Sequence, residues 1–408
     1  MSEVVNIPQL RFPEFNGGWK ESRIGKIYKD LRTGSTPSRA VKSYFKGDNP
    51  WITSGELKYN RISTTFEQIS DEAIKDTNLV LYQPGTLFIA ITGLEAPGTR
   101  GKCAINAVPS TTNQSCLAFR KVDSVDTIYM FYWYLKYGKP LYFKYAQGTK
   151  QQSFNNKIVE KFQIFLPNKP EQQKIAAFLS AVDNKIEQLS KKQALLGEYK
   201  KGLMQQIFTQ EIRFKAGDGS DFPDWEEKKL GDVFEIKAGQ SKSKHIKKDG
   251  KNIIVDMGGI SSEPKLVAKK LTDYDDDFLT TNDLVMPKDD IGGGLIIGKV
   301  AEIPENNKYI CGDHIYKLTV VNGNITFLKY AINSYQVNKS FRQKANGTAQ
   351  IGLSRKEVEN QLLSFPSLKE QTKIANFLSS IDSKIEQVGK QLNESKQFKK
   401  ALLQQMFV

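Results

Sequence analysis

The chain has 408 residues, with 59 Lys and Arg against 45 Asp and Glu and a formal net charge of +14. At about 150 residues per domain this length predicts two or three domains, and the charge favours a nucleic-acid partner over a basic protein that has none. The sequence contains no CxxC pair, which argues against a zinc site and a disulfide framework. It also contains no apolar run of about 18 residues and no signal-peptide pattern, which argues against a membrane partner and export. Together these features predict a cytoplasmic protein.

Residues 1–166 predict a mixed α/β domain. Short β-type runs such as 87–92 are broken by Gly, Pro and Asn, and a helix is expected near 126–137. The aromatic stretch Tyr129–Tyr145 could stack on bases, but its helical spacing favours the domain core. Asp48–Trp51 is similar to the Asn-Pro-Pro-aromatic signature of amino-methyltransferases. It lacks the second proline and a preceding cofactor-binding βαβ unit, so we interpret it as a turn before a strand.

Residues 167–208 predict one long helix. Asn168 and Glu171 form a helix-start signal in which the two side chains cap free backbone amides reciprocally. Apolar positions between Ile175 and Ile207 then alternate in steps of four and three, which is the period of a coiled-coil seam. Such a narrow stripe needs a partner helix. The 38 residues 171–208 alone would form a helix about 57 Å long, more than the spacing of about 34 Å between major grooves on one DNA face.

Residues 209–366 predict a second mixed α/β domain. The β-type runs at 253–255 and 295–300, and a helical segment near 324–335, repeat the character of the first domain. We therefore expect two domains of similar architecture.

Two motifs in this second domain invite an enzymatic interpretation. Gly293–Lys299 has the spacing of a phosphate-binding P-loop, but Val300 stands where Ser or Thr would hold magnesium. We interpret this segment as a Gly-Lys turn that enters a strand. Pro223–Lys228 is similar to the acidic signature of restriction nucleases, but it lacks the separate strand that brings the second carboxylate to a metal. We interpret it as a surface turn.

Residues 367–408 repeat the first helix. A shift of 199 residues superimposes Glu171–Phe208 on Glu370–Phe407, with 20 of 38 positions identical, and Ser367 repeats the start signal. Weaker matches extend the repeat upstream into both domains. The two helices are therefore expected to pair through equivalent apolar positions. These are Leu179, Val182, Ile186, Leu189, Leu378, Ile381, Ile385 and Val388.

The polar breaks in the two seams favour pairing within the chain, since Gln193 of one copy corresponds to Leu392 of the other. The segment Leu10–Phe12 matches Ile212–Phe214, which follows the first helix. The N-terminal segment therefore resembles the continuation that the second helix lacks. Antiparallel packing with pseudo-twofold symmetry would bring Val408 to this segment.

The string Glu171–Gln188, Glu-Gln-x-Lys-Ile-Ala-x-Phe-Leu-Ser-x-Val-Asp-x-Lys-Ile-Glu-Gln, and its copy at 370–387 resemble the conserved helices of type I restriction-modification specificity subunits. The resemblance covers nearly the whole chain, including the order domain, helix, domain, helix. Two loops of the first half, residues 33–38 and 148–151, also resemble recurrent elements of that family. The equivalent loops of the second half, residues 238–243 and 347–350, depart from both.

The resemblance implies a non-catalytic subunit that reads a bipartite, asymmetric target in double-stranded DNA. Residues 1–166 and 209–366 would be its target-recognition domains, and 167–208 and 367–408 its spacer helices. Its partners would be two methyltransferase subunits, which bind S-adenosylmethionine, and two motor-nuclease restriction subunits, which use ATP and Mg²⁺. This chain itself would hold no cofactor and no metal.

One chain that reads two different half-sites must differ where it reads, so we expect base contacts where the two halves diverge. The candidates in the first domain are Ser35, Thr36, Ser38, Arg39, Arg100, Lys150, Gln151 and Gln152. Those in the second domain are Gln240, Ser241, Lys242, Lys244, Lys288, Gln350, Ser354 and Arg355.

Two alternatives stay open. A stand-alone enzyme that modifies or cuts DNA would need a complete cofactor or metal signature. A coiled-coil scaffold without sequence reading would need neither the positive charge nor two α/β domains.

Overall fold

The fold is given by a computed structural model that describes residues 6–94, 99–146, 151–291, 293–347 and 351–408. The chain forms two compact units, Met1–Ser190 with Lys390–Val408, and Lys191–Gly389. Each unit therefore contains one globular domain, the first part of the helix that follows that domain, and the last part of the other long helix.

The first globular domain and its helix contain twelve strands and five α-helices within the described ranges. The strands are β1 Lys20–Arg23, β2 Arg32–Thr33, β3 Asn49–Ile52, β4 Arg61–Ile62, β5 Gln68–Ile69, β6 Leu87–Ala90, β7 Thr92–Leu94, β8 Cys103–Asn106, β9 Thr111–Thr112, β10 Cys116–Phe119, β11 Gln151–Ser153 and β12 Gln163–Leu166. The helices are α1 Ile24–Ile27, α2 Asp71–Asp76, α3 Thr127–Tyr145, α4 Asn156–Glu160 and α5 Lys169–Phe208.

The second domain and its helix continue the same mixture of strands and helices. The strands are β13 Glu226–Lys229, β14 Phe234–Ala238, β15 Ile246–Lys247, β16 Asn252–Val255, β17 Lys270–Thr272, β18 Phe278–Leu279, β19 Asp283–Pro287, β20 Asp289–Asp290, β21 Ala301–Glu302, β22 Tyr309–Cys311, β23 Ile315–Val320, β24 Ile351–Gly352 and β25 Leu362–Phe365. The helices are α6 Leu230–Val233, α7 Ile325–Ile332, α8 Tyr335–Lys344, α9 Arg355–Glu359 and α10 Leu368–Gln405.

The central sheet of the first unit has the strand order β2-β10-β6-β8-β4, and its pairs are antiparallel except for β8 with β4. Strands β6, β8 and β10 are buried along their whole length because alternate residues face two different cores. Leu87 and Ile89 face the core that holds α3, whereas Phe88 and Ala90 face a smaller core on the opposite side. The sheet β5-β3-β9 and the ribbons β1-β12 and β7-β11 complete this unit.

The second unit repeats this plan. Its antiparallel sheet has the order β14-β23-β19-β21, in which Leu284 and Met286 face the core that holds α7 and α8 while Val285 faces another core. The sheet β15-β17-β16-β22-β18 and the ribbons β13-β25 and β20-β24 accompany it. Two mixed α/β domains, as predicted from the sequence, are thus observed.

Several local predictions need correction. Residues 295–300 form no strand, because Gly298 has φ +67° and the amide of Lys299 donates to the carbonyl of Ile296, which closes a turn before β21. Asn49–Trp51 lies inside strand β3 rather than before it, and the side-chain Nδ2 of Asn49 donates to the carbonyl of Ile69 at 3.1 Å. In the segment Pro223–Lys228, residues Glu226 to Lys228 likewise belong to strand β13 rather than to a turn.

The aromatic stretch of the first domain is mostly core, as predicted. Residues Tyr129 to Tyr134 and Tyr142 are buried on α3. Phe143 and Tyr145, at the end of this helix, are exposed instead, with 56% and 36% of their surface accessible.

The helix-start signals form only in part. Asn168 Oδ1 accepts from the amide of Glu171 at 2.9 Å, and Ser367 Oγ accepts from the amide of Glu370 at 3.4 Å. The two glutamates do not return this bond, which corrects the reciprocal cap predicted above. Their fully buried carboxylates instead meet an arginine and a tryptophan that precede each domain.

In the first unit, Glu171 accepts from Arg11 Nε and Nη2 at 2.7 Å each and from Trp19 Nε1 at 3.3 Å. In the second, Glu370 accepts from Arg213 Nε at 3.2 Å and Nη2 at 2.9 Å, and from Trp225 Nε1 at 3.0 Å. The side-chain bonds to the glutamates raise the pKa of Arg11 and that of Arg213. Each long helix is thus anchored to its domain by the same three side chains.

A second repeated cluster joins two long-helix segments to each domain. In the first unit, Asp183 on α5 accepts from Tyr132 at 2.8 Å and pairs with Lys399 on α10 at 2.6 Å. In the second unit, Asp382 on α10 accepts from Tyr330 and pairs with Lys200 on α5, both at 2.6 Å. The end of one long helix therefore contacts the start of the other within each unit.

The N-terminal segment contacts the end of α10. The amide of Leu10 donates to the carbonyl of Gln405 at 2.9 Å, and the rings of Trp19 and Phe407 lie 6.5 Å apart, edge to face. After α5 the amide of Ile212 donates in the same way to the carbonyl of Gln206, at 3.1 Å. Val408 packs against the same core as Trp19, near the N-terminal segment as predicted.

The residues predicted to pair the helices are buried or half-buried. Leu179 and Val182 pack in the first unit with Leu402 and Met406, and Leu378, Ile381 and Ile385 pack in the second with Ile207. The other three are the half-buried Ile186 and the buried Leu189 and Val388. Within the described ranges, no helix is long and apolar enough to cross a lipid bilayer.

Candidate nucleic-acid interface

Three segments meet at one edge of the central sheet in the first domain. The amide of Gly34, after β2, donates to the carbonyl of Asn113, and the amide of Ile91, after β6, donates to that of Ser115. The amide of Phe154, after β11, in turn donates to the carbonyl of Ile91. Because β2, β10 and β6 are antiparallel neighbours, the ends of β2 and β6 and the start of β10 share this edge.

The second domain builds the same edge from equivalent segments. The amide of Gly239, after β14, donates to the carbonyl of Ile315, and the amide of Lys288, after β19, donates to that of His314. The amide of Leu353, after β24, then donates to the carbonyl of Lys288. We call this arrangement the sheet-edge site. In the first domain it is formed by residues 34–39, 91, 113–115 and 154, and in the second domain by residues 239–244, 288, 314–315 and 353–355.

The glycine in each first loop is required by close backbone packing. A Cβ on Gly34 would lie 1.6 Å from the carbonyl oxygen of Thr112, and a Cβ on Gly239 would lie 1.8 Å from that of Gly312. No side chain fits at these distances, so both positions need glycine. The two loops therefore leave the sheet in the same way although their side chains differ.

Thr36, Ser38 and Arg39 present polar groups along this edge, whereas Oγ of Ser35 is buried, which argues against the predicted base contact by Ser35. Trp51 Nε1 donates to the carbonyl of Ser35 at 3.2 Å, and Thr36 Oγ1 donates to Gln114 Oε1 at 2.5 Å. Ser38 is exposed. The exposed guanidinium of Arg39 makes a paired hydrogen bond with Glu67, with Nη2 to Oε2 at 2.7 Å, and lies 4.4 Å from the ring of Phe45.

The bond between Arg39 and Glu67 lowers the pKa of Glu67 and raises that of Arg39. Arg39 would thus approach another anion only by sharing or leaving this carboxylate.

Two of the other first-domain candidates belong to the ribbon β7-β11. Gln151 and Gln152 pair through their backbones with Leu94 and Gly93, while their side chains, and all of Lys150, lie outside the described residues. Arg100 is separate from the sheet edge, and its guanidinium carbon lies 5.9 Å from the ring centroid of the exposed Phe143.

In the second domain, the loop after β14 contains one buried candidate and three exposed candidates. Lys242 is 7% exposed, pairs with Asp277 at 3.3 Å and lies 4.8 Å from the ring of Tyr274, so its contacts are internal. Gln240, Ser241 and Lys244 are exposed. Burial of Lys242 argues against base contact by this residue. The prediction that both Lys242 and Lys244 contact bases is therefore corrected for Lys242.

Two of the remaining candidates of the second domain, Ser354 and Arg355, follow Leu353, whose amide bonds the carbonyl of Lys288. Ser354 caps α9, since its Oγ accepts from the amide of Glu357 at 3.2 Å. Arg355 Nε donates to Glu359 at 2.6 Å on the same helix. Gln350 lies outside the described residues.

Gln114 and His314 also lie at the sheet edge, although neither was a predicted DNA contact. His314 Nδ1 lies 2.7 Å from Asp289 Oδ2, directly after Lys288. In the sequence, Gln114 and His314 are each marked only by a position just before a β-type run. This position does not indicate a shared sheet edge until the strand order is known. No sequence pattern indicated the anchoring roles of Glu171 and Glu370, although Trp19 and Trp225 occupy similar sequence contexts in the two halves.

The sequence matches the type I restriction modification DNA specificity domain at residues 16–196 and again at 223–396. The chain belongs to this family. The two matched stretches contain both sheet-edge sites and the larger part of both long helices.

Named relatives support this membership. The chain is 30% identical over 246 residues to the type I restriction enzyme MjaIX specificity subunit of Methanocaldococcus jannaschii, covering 55% of this chain and 56% of that protein. It is 26% identical to the MjaVIII specificity subunit of the same organism, covering 97% and 92%. The EcoprrI specificity subunit of Escherichia coli is 24% identical, with 88% and 86% covered.

The fold is also shared with solved structures. The type I restriction-modification system S subunit from M. genitalium aligns with a TM-score of 0.63 at 17% identity, covering 98% of this chain and 99% of that one. A chain from a study of complex assembly and conformational transition of the type I system aligns with a TM-score of 0.55 at 15% identity, covering 97% and 98%. The prediction that this chain resembles specificity subunits is therefore confirmed.

Proposed function

We propose that this chain is the non-catalytic specificity subunit of a type I restriction-modification complex. Each domain would read one half of a bipartite, asymmetric DNA target through its sheet-edge site. The observation that carries this proposal is that the chain builds the same edge twice, with the same glycine-dependent backbone but different side chains. A shared backbone with divergent polar groups suits two different base sequences, because bases are discriminated by side chains at their edges.

The partners follow from the family. Two methyltransferase subunits with S-adenosylmethionine would modify an adenine in each half-site, and two restriction subunits with ATP and Mg²⁺ would complete the complex. Among the chain's own thiols, burial raises the pKa of Cys116 and that of Cys311 to about 12, so neither is suited to act as a nucleophile.

Sequencing methylated adenines in cells that carry this chain and its methyltransferase subunit tests the proposal. We expect one asymmetric motif in two parts with a fixed spacer between them. The purified chain incubated alone with DNA and S-adenosylmethionine should modify nothing. Methylation or cleavage by the chain alone would favour the stand-alone enzyme, and DNA binding without any sequence preference would favour the scaffold.

We further propose that α5 and α10 pair as an antiparallel coiled coil. The contact of Asp183 with Lys399 in the first unit, and of Lys200 with Asp382 in the second, supports this direction, because each joins the start of one helix to the end of the other. Gly389 supports it as well. A Cβ there would lie 2.7 Å from Nε2 of Gln193, so the smallest residue stands opposite the polar break in the seam.

A disulfide tests this pairing. Leu179 and Leu402 pack in the same core of the first unit, so the L179C/L402C variant should crosslink on mild oxidation. L179C/L378C, with the same number of added thiols, should not. The three native cysteines are buried and should not interfere. Crosslinking of the second pair instead of the first, measured by electrophoretic mobility without reductant, would contradict antiparallel pairing.

Two neighbouring lysines separate a DNA contact from a structural one. The exposed Lys244 should contact phosphate, so K244A should weaken DNA binding and reduce the slope of log affinity against log salt by about 0.9. K242A should instead lower the melting temperature, since it removes the partner of Asp277. The sheet-edge assignment fails for this loop if K244A binds DNA with wild-type affinity and salt dependence.

A further inference from the structure

The helix that leads to the last segment of each sheet-edge site lies in a stretch without acidic residues. Neither Asp nor Glu occurs from Thr127 to Val159 or from His314 to Lys356, although the chain has 45 of them. Helix α3 lies in the first stretch, and helices α7 and α8 lie in the second. The charged side chains within both stretches are therefore all basic, and basic side chains attract anions, so the two stretches point to an anionic partner.

In the second unit, α8 exposes a basic and aromatic face. Tyr335, Lys339 and Arg342 follow each other in steps of four and three and are exposed, whereas Asn338 and Phe341 on the other face are buried. Tyr335 is 65% exposed, and Lys339 Nζ lies 5.9 Å from its ring centroid. Within the described ranges, neither Lys339 nor Arg342 forms a salt bridge.

A tight turn brings another cation close to Arg342. A Cβ on Gly298 would lie 2.7 Å from the side chain of Phe341, so the turn that carries Lys299 packs directly on α8. Burial, and then the charge of Arg342, lowers the pKa of Lys299. Lys299 and Arg342 therefore lie close together in the second domain.

The first unit has the same construction at the end of α3. Lys139 and Phe143 lie one turn apart and are exposed, as is the neighbouring Lys144. The guanidinium carbon of Arg100 and Nζ of Lys139 each lie 5.9 Å from the ring centroid of Phe143. A Cβ on Gly101 would lie 2.6 Å from the backbone of Gly138, so this turn also packs on its helix.

We propose that these two basic helix faces bind the sugar-phosphate backbone of DNA beside each half-site, with Phe143 and Tyr335 packing against the nucleotides. The inference rests on the proposed function and adds positioning contacts that are separate from the sheet-edge sites. Phosphate contacts fix the register and orientation of a protein on the duplex and carry no sequence information. The faces would therefore hold each sheet edge against its bases. Of the residues in these faces, only Arg100 was among the predicted base contacts.

The test is DNA binding by the full-length chain as a function of salt, measured by fluorescence anisotropy on a labelled duplex. The salt slope should fall by about 0.9 for each phosphate that the protein no longer neutralises, and so by about 1.8 in K139A/K144A and in K339A/R342A. K185A/K384A removes the same charge from exposed positions on α5 and α10 and should leave the slope unchanged.

The aromatic residues have their own control. F143A and Y335A should each weaken binding about tenfold, because each removes apolar area that packs against the sugar-phosphate backbone, whereas Y335F should bind like the wild type. Phe66 is 81% exposed and lies 5.7 Å from Lys58, but Glu56 and Glu67 flank its loop. F66A should therefore leave binding unchanged, and retention of the wild-type circular dichroism by all variants checks the fold.

The outcomes separate the two proposals. If the wild-type chain shows no salt-dependent DNA binding, with or without methyltransferase subunits, the proposed function and this inference both fail. If the wild type binds but K139A/K144A and K339A/R342A have the slope of K185A/K384A, the basic faces are not DNA contacts while the proposed function stands. Loss of methyltransferase co-purification with unchanged DNA affinity would also overturn the inference, because the faces would then bind protein.

Discussion

Replacing Glu370 by alanine is expected to destabilise the second unit by about 3–5 kcal/mol, the cost of removing one partner from a buried ion pair. The carboxylate is fully buried and accepts bonds from Arg213 and Trp225, so its loss leaves Nε of Arg213 and the indole N–H of Trp225 without their acceptor. It also removes a negative charge from the first turn of α10, where the helix dipole favours one. Hydrogen exchange in peptides that cover residues 368–380, followed with increasing urea, measures the effect.

The matched control is an exposed pair in the same unit. Glu305 and Lys308 are about half exposed at 2.8 Å, so E305A should change stability by no more than about 1 kcal/mol. E370Q, which keeps one acceptor oxygen, should fall between the two. An effect of E370A as small as that of E305A would show that this anchor contributes nothing, and the equivalent Glu171 in the first unit could then not be assigned such a role either.

Exchanging residues 20–166 for the corresponding domain of a relative is expected to change one half of the methylated motif and leave the other half and the spacer unchanged. The exchanged segment is structurally closed, because its first and last strands pair with each other, Lys20 opposite Leu166. It contains every described segment of the first sheet-edge site. The donor should keep a tyrosine at position 132, whose hydroxyl bonds Asp183 on α5.

The reciprocal exchange of residues 226–365 is the control, since Glu226 is paired with Phe365 in the same way. It should change the other half of the motif. Sequencing of modified adenines reads both results. A change in both halves after either exchange would contradict the assignment of one half-site to each domain.

Much of the architecture could be predicted because it has a local or a duplicated signal. The long helices follow from apolar residues that recur with a helical period, and the duplication identifies the equivalent Asn168 and Ser367 starts without knowledge of the fold. The turn at Gly101 and Gly298 could be recognised in the same way, because two copies share it. Failures occurred where a local pattern was ambiguous. Residues 295–300 have strand-forming side chains, but Gly298 and the packing of Phe341 impose a turn.

The candidate site could be predicted as scattered segments but not as a surface. The divergence of the two halves selected residues 35–39 and 240–244, yet gave no means to separate Lys244 from the buried Lys242, because burial depends on Asp277 and Tyr274 from a distant part of the chain. It also gave no sign that Lys288 and Ser354 belong to one edge.

The sequence by itself determined the two domains, the two helices and the family, since these depend on composition, periodicity and an internal repeat. Only the tertiary structure decided which segments share the sheet edge, which partners the buried Glu171 and Glu370 take, and which side of α3 and α8 is exposed. The physical reason is that strand order and burial arise from hydrogen bonds and contacts between residues far apart in the chain. Ile91 with Phe154 and Arg213 with Glu370 are such pairs, and no local pattern encodes them.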